Sequence, residues 1–247
     1  MQIKDKGTCL LTYIPIRRTP DSASEMVSSL IFGESYTILG VSNDWLNIRM
    51  DFDQYEGWIH SNPYEEYQEF KVVSDAYFLD AVGKNQKLMI PCGANIPESG
   101  VVLSDGEKYV IEKKLKTNHH LPLPLRLTKT AQSFLNTPYL WGGRTFMGID
   151  CSGFMQVVFK SSGLSLPRDT SQQIHCGTPV NFKDIKSCDM VFFSTLASDH
   201  VSHVGLMMDN KQIIHASGKV KINELKSDGL YINGKLSYKT LTIQRII

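Results

Sequence analysis

The most constraining feature of this sequence is a change of pattern near residue 125. Before it, short runs rich in β-branched and aromatic residues alternate with turn formers. After it, apolar residues in 125–135 recur near the 3.6-residue period of a helix, and 151–162 is a strongly apolar run that ends at Gly163. Further β-rich runs in 188–247 complete the pattern of an α+β domain behind an all-β segment.

The first half predicts two small barrels in series. In 1–70, β-rich runs are separated by polar turns such as Ser42-Asn43-Asp44, and short strands at this spacing are typical of a small barrel. These runs are 36–41, 45–50 and 55–60. A looser version follows in 71–122, with runs at 71–80, 86–91, 100–103 and 108–111 and a hairpin signal at Asp105-Gly106. We therefore expect domains at 1–70, 71–122 and 123–247.

A proline-rich stretch at 119–124 predicts the linker before the third domain, since proline favours an extended chain. It contains His119 and His120, which could serve as metal ligands. A pair of histidines without further spaced ligands is more typical of a solvated linker.

Composition excludes several classes of protein. Lys+Arg 26 and Asp+Glu 25 among 247 residues leave a formal net charge of +1, so no overall field attracts nucleic acid or an anionic membrane. No apolar run approaches the roughly 18–20 residues that a membrane span needs. The five cysteines are odd in number and lack CxxC spacing, which argues against a disulfide framework or a cysteine zinc site. The first residues lack the pattern of a secretion signal, which predicts a cytoplasmic protein; a chain whose leader had been removed would instead be exported.

One segment combines the features of a nucleophile site. Gly142, Gly143 and Gly148 lead into Asp150, a favoured helix N-cap, so Cys151 is expected in the first turn of a helix. There the helix dipole and the free N–H groups favour a thiolate, and the same groups can hold an oxyanion beside the sulfur. A buried core cysteine is the alternative, but the flanking Asp, Ser and Gly favour catalysis.

A nucleophilic thiol needs a base, and His203 and His215 lie in a predicted hairpin. If Asp209-Asn210-Lys211 forms its turn, Met208 pairs with Gln212. The two imidazoles then lie diagonally on one face, roughly 7–8 Å apart at most. A slip of one residue would place them on opposite faces of the sheet.

The sequence thus predicts Cys151 as nucleophile, His203 as general base and His215 as the residue that orients the base. Zinc is the alternative, with Asp199 and His200 joining the two histidines as ligands. The short spacing from His200 to His203 in a loop-to-strand segment disfavours it, because such ligand pairs are typical of helices. Two of the seven histidines show no partner in the sequence and are interpreted as structural: His60 and His175.

Six motifs within 125–220 occur in an order that resembles the NlpC/P60 family of papain-like cysteine peptidases. The motifs are Pro138-Tyr139-Leu140-Trp141-Gly142-Gly143, Asp150-Cys151-Ser152-Gly153-Phe154, Pro167-Arg168-Asp169-Thr170-Ser171-Gln172-Gln173, Asp189-Met190-Val191-Phe192-Phe193, His203-Val204-Gly205 and Ile214-His215-Ala216. The resemblance implies a papain-like catalytic domain with Cys151, His203 and His215 as the catalytic set and no metal or cofactor. It also implies that 1–122 holds two bacterial SH3-like barrels.

Within the family, the two-barrel arrangement is similar to γ-D-glutamyl-L-diamino-acid endopeptidases of peptidoglycan recycling, of the dipeptidyl-peptidase VI type. These enzymes cut between γ-D-glutamate and diaminopimelate or lysine in stem peptides with a free L-alanine amine, and their first barrel helps to close the pocket around that amine. The resemblance implies substrate-binding roles for Asp150, Ser152, Trp141, Ser171, Tyr55 and Glu25. Carboxylates and hydroxyls suit an ammonium group, and an acylated peptide would leave a buried carboxylate without its partner.

Several of these residues also have a purely structural interpretation. Glu25 can be an exposed surface charge, and Trp141 and Tyr55 can be packing residues. Arg144 and Arg168 could meet the carboxylate of the diamino acid, although structural ion pairing is the favoured interpretation.

Three other functions remain open from the sequence. The first is an exported peptidoglycan hydrolase that acts on the intact wall, with the barrels as wall-binding modules. The second is a thiol acyltransferase or lipid-directed enzyme of the same superfamily, which usually carries a permuted motif order. The third is a binding module without catalysis, which the intact Cys151, His203 and His215 disfavour. No motif distinguishes diaminopimelate from lysine or indicates an oligomeric state.

Overall fold

The computed structural model describes residues 4–62, 64–104, 106–111 and 120–247, which form two compact units. The N-terminal unit comprises the described residues before 112 together with Trp141–Phe146, and the C-terminal unit comprises the described residues of 120–140 with Met147–Ile247. The domain boundaries given above stay predictions, although Trp141–Phe146 groups with the N-terminal unit and not with 123–247. Asp105 of the predicted hairpin and His119 of the predicted linker lie outside the described residues.

The N-terminal unit begins with a six-stranded antiparallel sheet, in the order β1-β4-β5-β6-β2-β3. Its strands are β1 (Lys6–Thr8), β2 (Tyr13–Arg17), β3 (Met26–Ile31), β4 (Ser35–Ser42), β5 (Trp45–Met50) and β6 (Glu56–His60). The three predicted runs correspond to β4, β5 and β6. Alternate residues of β5 (Leu46, Ile48 and Met50) are fully buried in the core of this sheet, as a strand with one buried face requires.

A second group of strands has its own apolar core, which includes Leu79, Ile90 and Val102. Apart from β13 (Arg144–Thr145), which comes later in the chain and lies outside this group, the strands are β7 (Val72–Val73), β8 (Phe78–Val82), β9 (Lys87–Pro91), β10 (Asn95–Ile96), β11 (Val101–Ser104) and β12 (Glu107–Ile111). They form a sheet in the order β11-β12-β8-β9 and a β7–β10 pair. The single strand predicted at 71–80 is wrong, because the backbone of Ser74 bonds to Gly93 and Ala94 and separates β7 from β8.

The C-terminal unit includes the following helices among its described residues. They are α1 (Leu123–Ser133), α2 (Cys151–Lys160), α3 (Thr170–Gln173) and the 3-10 helix Phe182–Asp184. The predicted linker ends earlier than expected, since α1 takes Pro124 into its first turn, where a missing N–H costs nothing. Helix α2 is buried along its whole length, which matches its apolar sequence, and Gly163 follows it with a φ of 84°. Among the described residues, no helix combines the length and the hydropathy needed to cross a bilayer.

The same unit is built on a seven-stranded sheet in the order β15-β21-β16-β17-β18-β19-β20, and β20 also pairs with β21. Its elements, after the short β14 (Gly148–Ile149), are β15 (Thr178–Pro179), β16 (Met190–Ser194), β17 (Val201–Met207), β18 (Gln212–Ser217), β19 (Lys219–Lys226), β20 (Gly229–Ile232) and β21 (Lys235–Arg245). Helix α2 packs against β17 and β18. The sequence did not indicate β19 and β20, because charged and polar residues interrupt their alternation.

Candidate active site

Cys151 is the first residue of α2, as the sequence predicts. Asp150 is the N-cap, with an extended backbone (φ −93°, ψ 176°), and its Oδ1 accepts the N–H of Gly153 at 2.7 Å. The N–H groups of Cys151 and Ser152 precede the capped one at the helix start. This arrangement can stabilise negative charge that develops beside the sulfur.

The surroundings of the sulfur act against one expectation. Cys151 is 6% exposed, and its Sγ receives a backbone hydrogen bond from Val204 and lies 4.0 Å from Oγ1 of Thr170. Burial, followed by the charge of Asp150, raises the pKa of the Cys151 thiol to about 11. Burial thus acts against the predicted resting thiolate and favours a thiol, whereas the hydrogen bonds and the helix start favour the thiolate.

Asp150 and Ser152 are held by a buried arginine. Nη1 of Arg168 lies 3.0 Å from Oδ1 of Asp150 and 2.8 Å from Oγ of Ser152, and Nη2 lies 2.5 Å from Oδ2 of Asp150. The Arg168 and Asp150 side chains are only 2% and 6% exposed. The structural interpretation of Arg168 is thus confirmed, since its guanidinium is bonded within the protein.

The predicted hairpin register is confirmed. Gly205 pairs with His215, and Met208 donates its N–H to the carbonyl of Gln212. Oδ1 of Asp209 accepts the N–H groups of Lys211 and Gln212, both at 2.7 Å, which fixes the three-residue turn. The register places His203 and His215 on one face of the sheet.

The two histidines form a hydrogen-bonded series with a third residue, Asn223. Nε2 of His203 lies 2.8 Å from Nδ1 of His215, and Nε2 of His215 lies 2.9 Å from Oδ1 of Asn223. Because the amide oxygen can only accept, Nε2 of His215 carries a proton, and its Nδ1 accepts the proton on Nε2 of His203. This imidazole row (His203, His215 and Asn223) leaves Nδ1 of His203 as the basic nitrogen.

Burial sets the charge of the row. It lowers the pKa of His203 well below 6.5, and the charge on His215 adds to this effect. Burial also lowers the pKa of His215 to about 4, although the hydrogen bond that His215 donates to Asn223 raises it. Burial therefore favours a neutral thiol at Cys151 and neutral imidazoles at His203 and His215.

Several residues at the site were missed by the sequence interpretation. They are Thr170, Asn223, Tyr139 and Tyr238. Tyr139 interacts electrostatically with Cys151 and Asp150, and burial raises the pKa of its phenol. For Asn223 a signal existed: it pairs with Ile213, two residues before His215, so a predicted β18–β19 hairpin would have placed it on the same face. Ser171, predicted at the pocket, is exposed beside Thr170, and its role stays a prediction.

The zinc alternative gains no support. Asp199 and His200 are exposed, whereas His203 and His215 are buried. Within the described ranges, no three His, Cys, Asp or Glu side chains form a group that could hold a metal. His60 contacts the ring of Trp45, and its Nδ1 accepts the N–H of Asn62.

The remaining predicted residues lie in the N-terminal unit. Nε1 of Trp141 donates to Oε1 of Glu25 at 2.8 Å, and Arg18 pairs with the other oxygen of this carboxylate at 2.7 Å. Trp141 is 59% exposed, so the interpretation of Trp141 as a core residue is wrong. Tyr55 is partly buried against the core of the first sheet.

Arg144 and Gly142 explain how the tryptophan segment is fixed within that unit. The Arg144 side chain is fully buried, contacts both oxygens of Glu34 at 2.9 Å and donates to the carbonyl of Ser29 at 2.7 Å. Gly142 has a φ of 78°, and a Cβ there would lie 2.5 Å from the carbonyl oxygen of Met26. Arg144 is thus a structural residue, as favoured above.

Two family models match the chain. The model of the NlpC/P60 family matches residues 136–235, and that of the bacterial dipeptidyl-peptidase Sh3 domain matches residues 16–62. The second match falls inside the first predicted barrel. A second SH3-like barrel at 71–122 stays a prediction.

Curated relatives and a solved structure agree with the models. The chain is 39% identical over 106 residues to the probable endopeptidase NlpC of Escherichia coli, covering 42% of this chain and 69% of that protein. It is 24% identical over 243 residues to a gamma-D-glutamyl-L-lysine dipeptidyl-peptidase of Bacillus cereus, covering 84% and 73% of the two chains. The crystal structure of an NlpC/P60 family protein from Bacillus cereus superposes with a TM-score of 0.79 at 18% identity, covering 97% and 99%, and therefore shares the fold.

Proposed function

This chain belongs to the NlpC/P60 family, and from that premise we propose that it is a cysteine endopeptidase acting on cell-wall stem peptides. It cleaves the bond between γ-D-glutamate and meso-diaminopimelate or L-lysine in peptides with a free L-alanine amine, during recycling of those peptides. The observation that carries the proposal is the imidazole row beside Val204, whose N–H bonds to Cys151. The name of the Bacillus cereus relative supports the substrate class.

The reaction begins from the thiol of Cys151 and the neutral imidazole of His203. The thiol of Cys151 gives its proton to Nδ1 of His203 as a bond forms between the sulfur and the γ-glutamyl carbonyl carbon. The N–H groups at the start of α2 hold the oxyanion. The imidazolium then protonates the leaving amine, and the carbon–nitrogen bond breaks to leave a thioester.

Water completes the cycle. His203 takes a proton from water as the oxygen attacks the thioester carbon, and the carbon–sulfur bond breaks. The proton returns to the sulfur, and the L-Ala-γ-D-Glu dipeptide leaves. Throughout, His215 keeps Nδ1 of His203 available by accepting the proton on the opposite nitrogen, and Asn223 fixes the tautomer of His215.

The test compares substrates that differ in one group. L-Ala-γ-D-Glu-meso-diaminopimelate and its L-lysine counterpart, each free and N-acetylated, are incubated with the wild type and Cys151→Ala, and products are read by mass. Cys176→Ala serves as the matched control, because Cys176 is a partly exposed cysteine. The side chain that bonds to Cys151 is that of Thr170. We expect cleavage of the free peptides by the wild type and the control alone.

Three results would contradict the proposal. Cleavage by Cys151→Ala would exclude this nucleophile, and equal cleavage of acetylated peptides would exclude recognition of the amine. Release of peptides from intact peptidoglycan at a comparable rate would favour a wall hydrolase, and with it an exported protein.

A further inference from the structure

Tyr238 lies against His203, the proposed general base. Its ring stacks on the imidazole of His203, with 4.8 Å between the centroids and 21° between the planes. The ring of His215 meets His203 edge-on at 5.0 Å and 83°, and the ring of Phe193 is 6.0 Å away and tilted by 32°. Tyr238 is thus the aromatic residue with its face most directly over the imidazole, within the part of the chain that the structure describes.

The sheet explains this placement. Phe193 of β16 pairs with His203 of β17 on one side and with Thr240 of β21 on the other. Tyr238 is two residues from Thr240, so it points to the same face. A register shift between Phe192 and Phe193 in the β16–β21 pairing occurs at this point and alters where β21 presents its side chains.

We propose that Tyr238 is a positioning residue that holds His203 and stabilises the imidazolium formed when Cys151 loses its proton. The proposal deepens the proposed function and rests on its assignment of His203 as the base. An aromatic face carries partial negative charge, so it attracts a cationic ring more than a neutral one, and more strongly away from water. The stacking therefore favours the charged intermediate state over the resting state.

The other groups around the imidazole act in the opposite direction. His215 on β18 and Lys221 on β19 both disfavour positive charge on His203, as does burial. Cys151 on α2 supplies the counter-charge once it is ionised. Tyr238 on β21 supplies a π face over the ring of His203, and this face favours the imidazolium.

The phenol oxygen is not required for this role, which makes Tyr238→Phe the conservative variant. Tyr238→Leu removes the π face but retains an apolar side chain, and Tyr238→Met is the second such variant if leucine prevents folding. Tyr231→Leu is the matched control, because Tyr231 is a partly buried tyrosine of the same sheet whose hydroxyl bonds to Asp228.

The experiment measures alkylation of Cys151 by iodoacetamide as a function of pH, followed by the mass of the peptide that contains it. This rate reports the thiolate–imidazolium pair without any substrate. We expect Tyr238→Leu to react about threefold to tenfold more slowly near neutral pH, with its profile moved to higher pH. Tyr238→Phe and Tyr231→Leu should stay within about twofold of the wild type.

The sign of the shift decides the outcome. If Tyr238 only shielded the site from water, its removal would ease ionisation of the buried sulfur and move the profile to lower pH. That result, an unchanged rate in Tyr238→Leu, or a loss in Tyr238→Phe equal to that in Tyr238→Leu would overturn the proposal.

Peptide cleavage separates this inference from the proposed function. If the wild type cleaves the free-amine peptides, Tyr238→Leu should lower kcat and leave KM within about twofold, because the ring acts only once charge develops. If the wild type does not cleave them, the proposed function fails, and the alkylation profiles still decide the role of Tyr238.

Discussion

Removal of the Arg168 guanidinium should destabilise the C-terminal unit by an amount that the structure allows us to work out. Arg168 and Asp150 are 2% and 6% exposed in their side chains, and two hydrogen bonds join them. In Arg168→Met the carboxylate stays buried without its partner, and breaking a buried pair in this way costs about 3–5 kcal/mol. The double variant Asp150→Asn/Arg168→Met buries no charge and keeps a good N-cap residue, so we expect it to lose only about 1–2 kcal/mol.

The assay uses the distribution of aromatic residues. All three tryptophans (Trp45, Trp58 and Trp141) lie in the N-terminal unit, so tryptophan fluorescence during urea unfolding follows that unit alone. Hydrogen exchange of the α2 amides follows the C-terminal unit. Arg168→Met should lower the free energy of opening that governs exchange of the α2 amides by about 3–5 kcal/mol.

Two results would refute this reasoning. One is a loss below about 1 kcal/mol in Arg168→Met, which would mean that water reaches Asp150 in the native state. The other is a double variant whose loss equals the sum of the two single losses, because the pair would then show no coupling.

Three further predictions concern the imidazole row and the N-terminal unit. Asn223→Ala should lower kcat about tenfold with KM nearly unchanged, because His215 loses the acceptor that fixes its tautomer; an unchanged kcat for peptide cleavage would argue against the row. Burial lowers the pKa of His215 from 6.5 to about 4, so between these pH values the unfolded state binds a proton that the native state does not bind. The free energy of unfolding should therefore fall as the pH drops from 6.5 towards 4, by about 2 kcal/mol at pH 5, and denaturant titrations of His215→Gln should lack this part of the fall. Arg144→Met should lower the stability of the N-terminal unit by about 3–5 kcal/mol in the tryptophan signal, since Glu34 stays buried without its partner; a loss below about 1 kcal/mol would count against that pair.

Much of the candidate site follows from local sequence. Asp150 caps a helix because its side chain reaches an N–H three residues ahead, and this fixes Cys151 at the helix start. The turn at Asp209 sets the pairing of β17 with β18, and pairing determines which faces His203 and His215 occupy. These features depend on residues close together in the chain, so the sequence could predict them.

Other features depend on contacts between distant segments. The pairing of Arg168 with Asp150, the approach of Thr170 to the sulfur and the stacking of Tyr238 on His203 all join residues that no local pattern connects. The ionisation of the site belongs to this group too. A helix start favours a thiolate at Cys151, but the depth of burial is a property of the packed unit, and it raises the pKa of the thiol to about 11.

The amino-acid sequence alone determined the change from β-rich runs to a helical segment near residue 125, the helix start at Cys151 and the shared face of the two histidines, because backbone geometry and short-range hydrogen bonds act over a few residues. Only the tertiary structure decided which side chains complete the imidazole row and what charge the site carries at rest. Those properties depend on solvent exclusion and on neighbours brought together by the sheet, such as Asn223 and Tyr238.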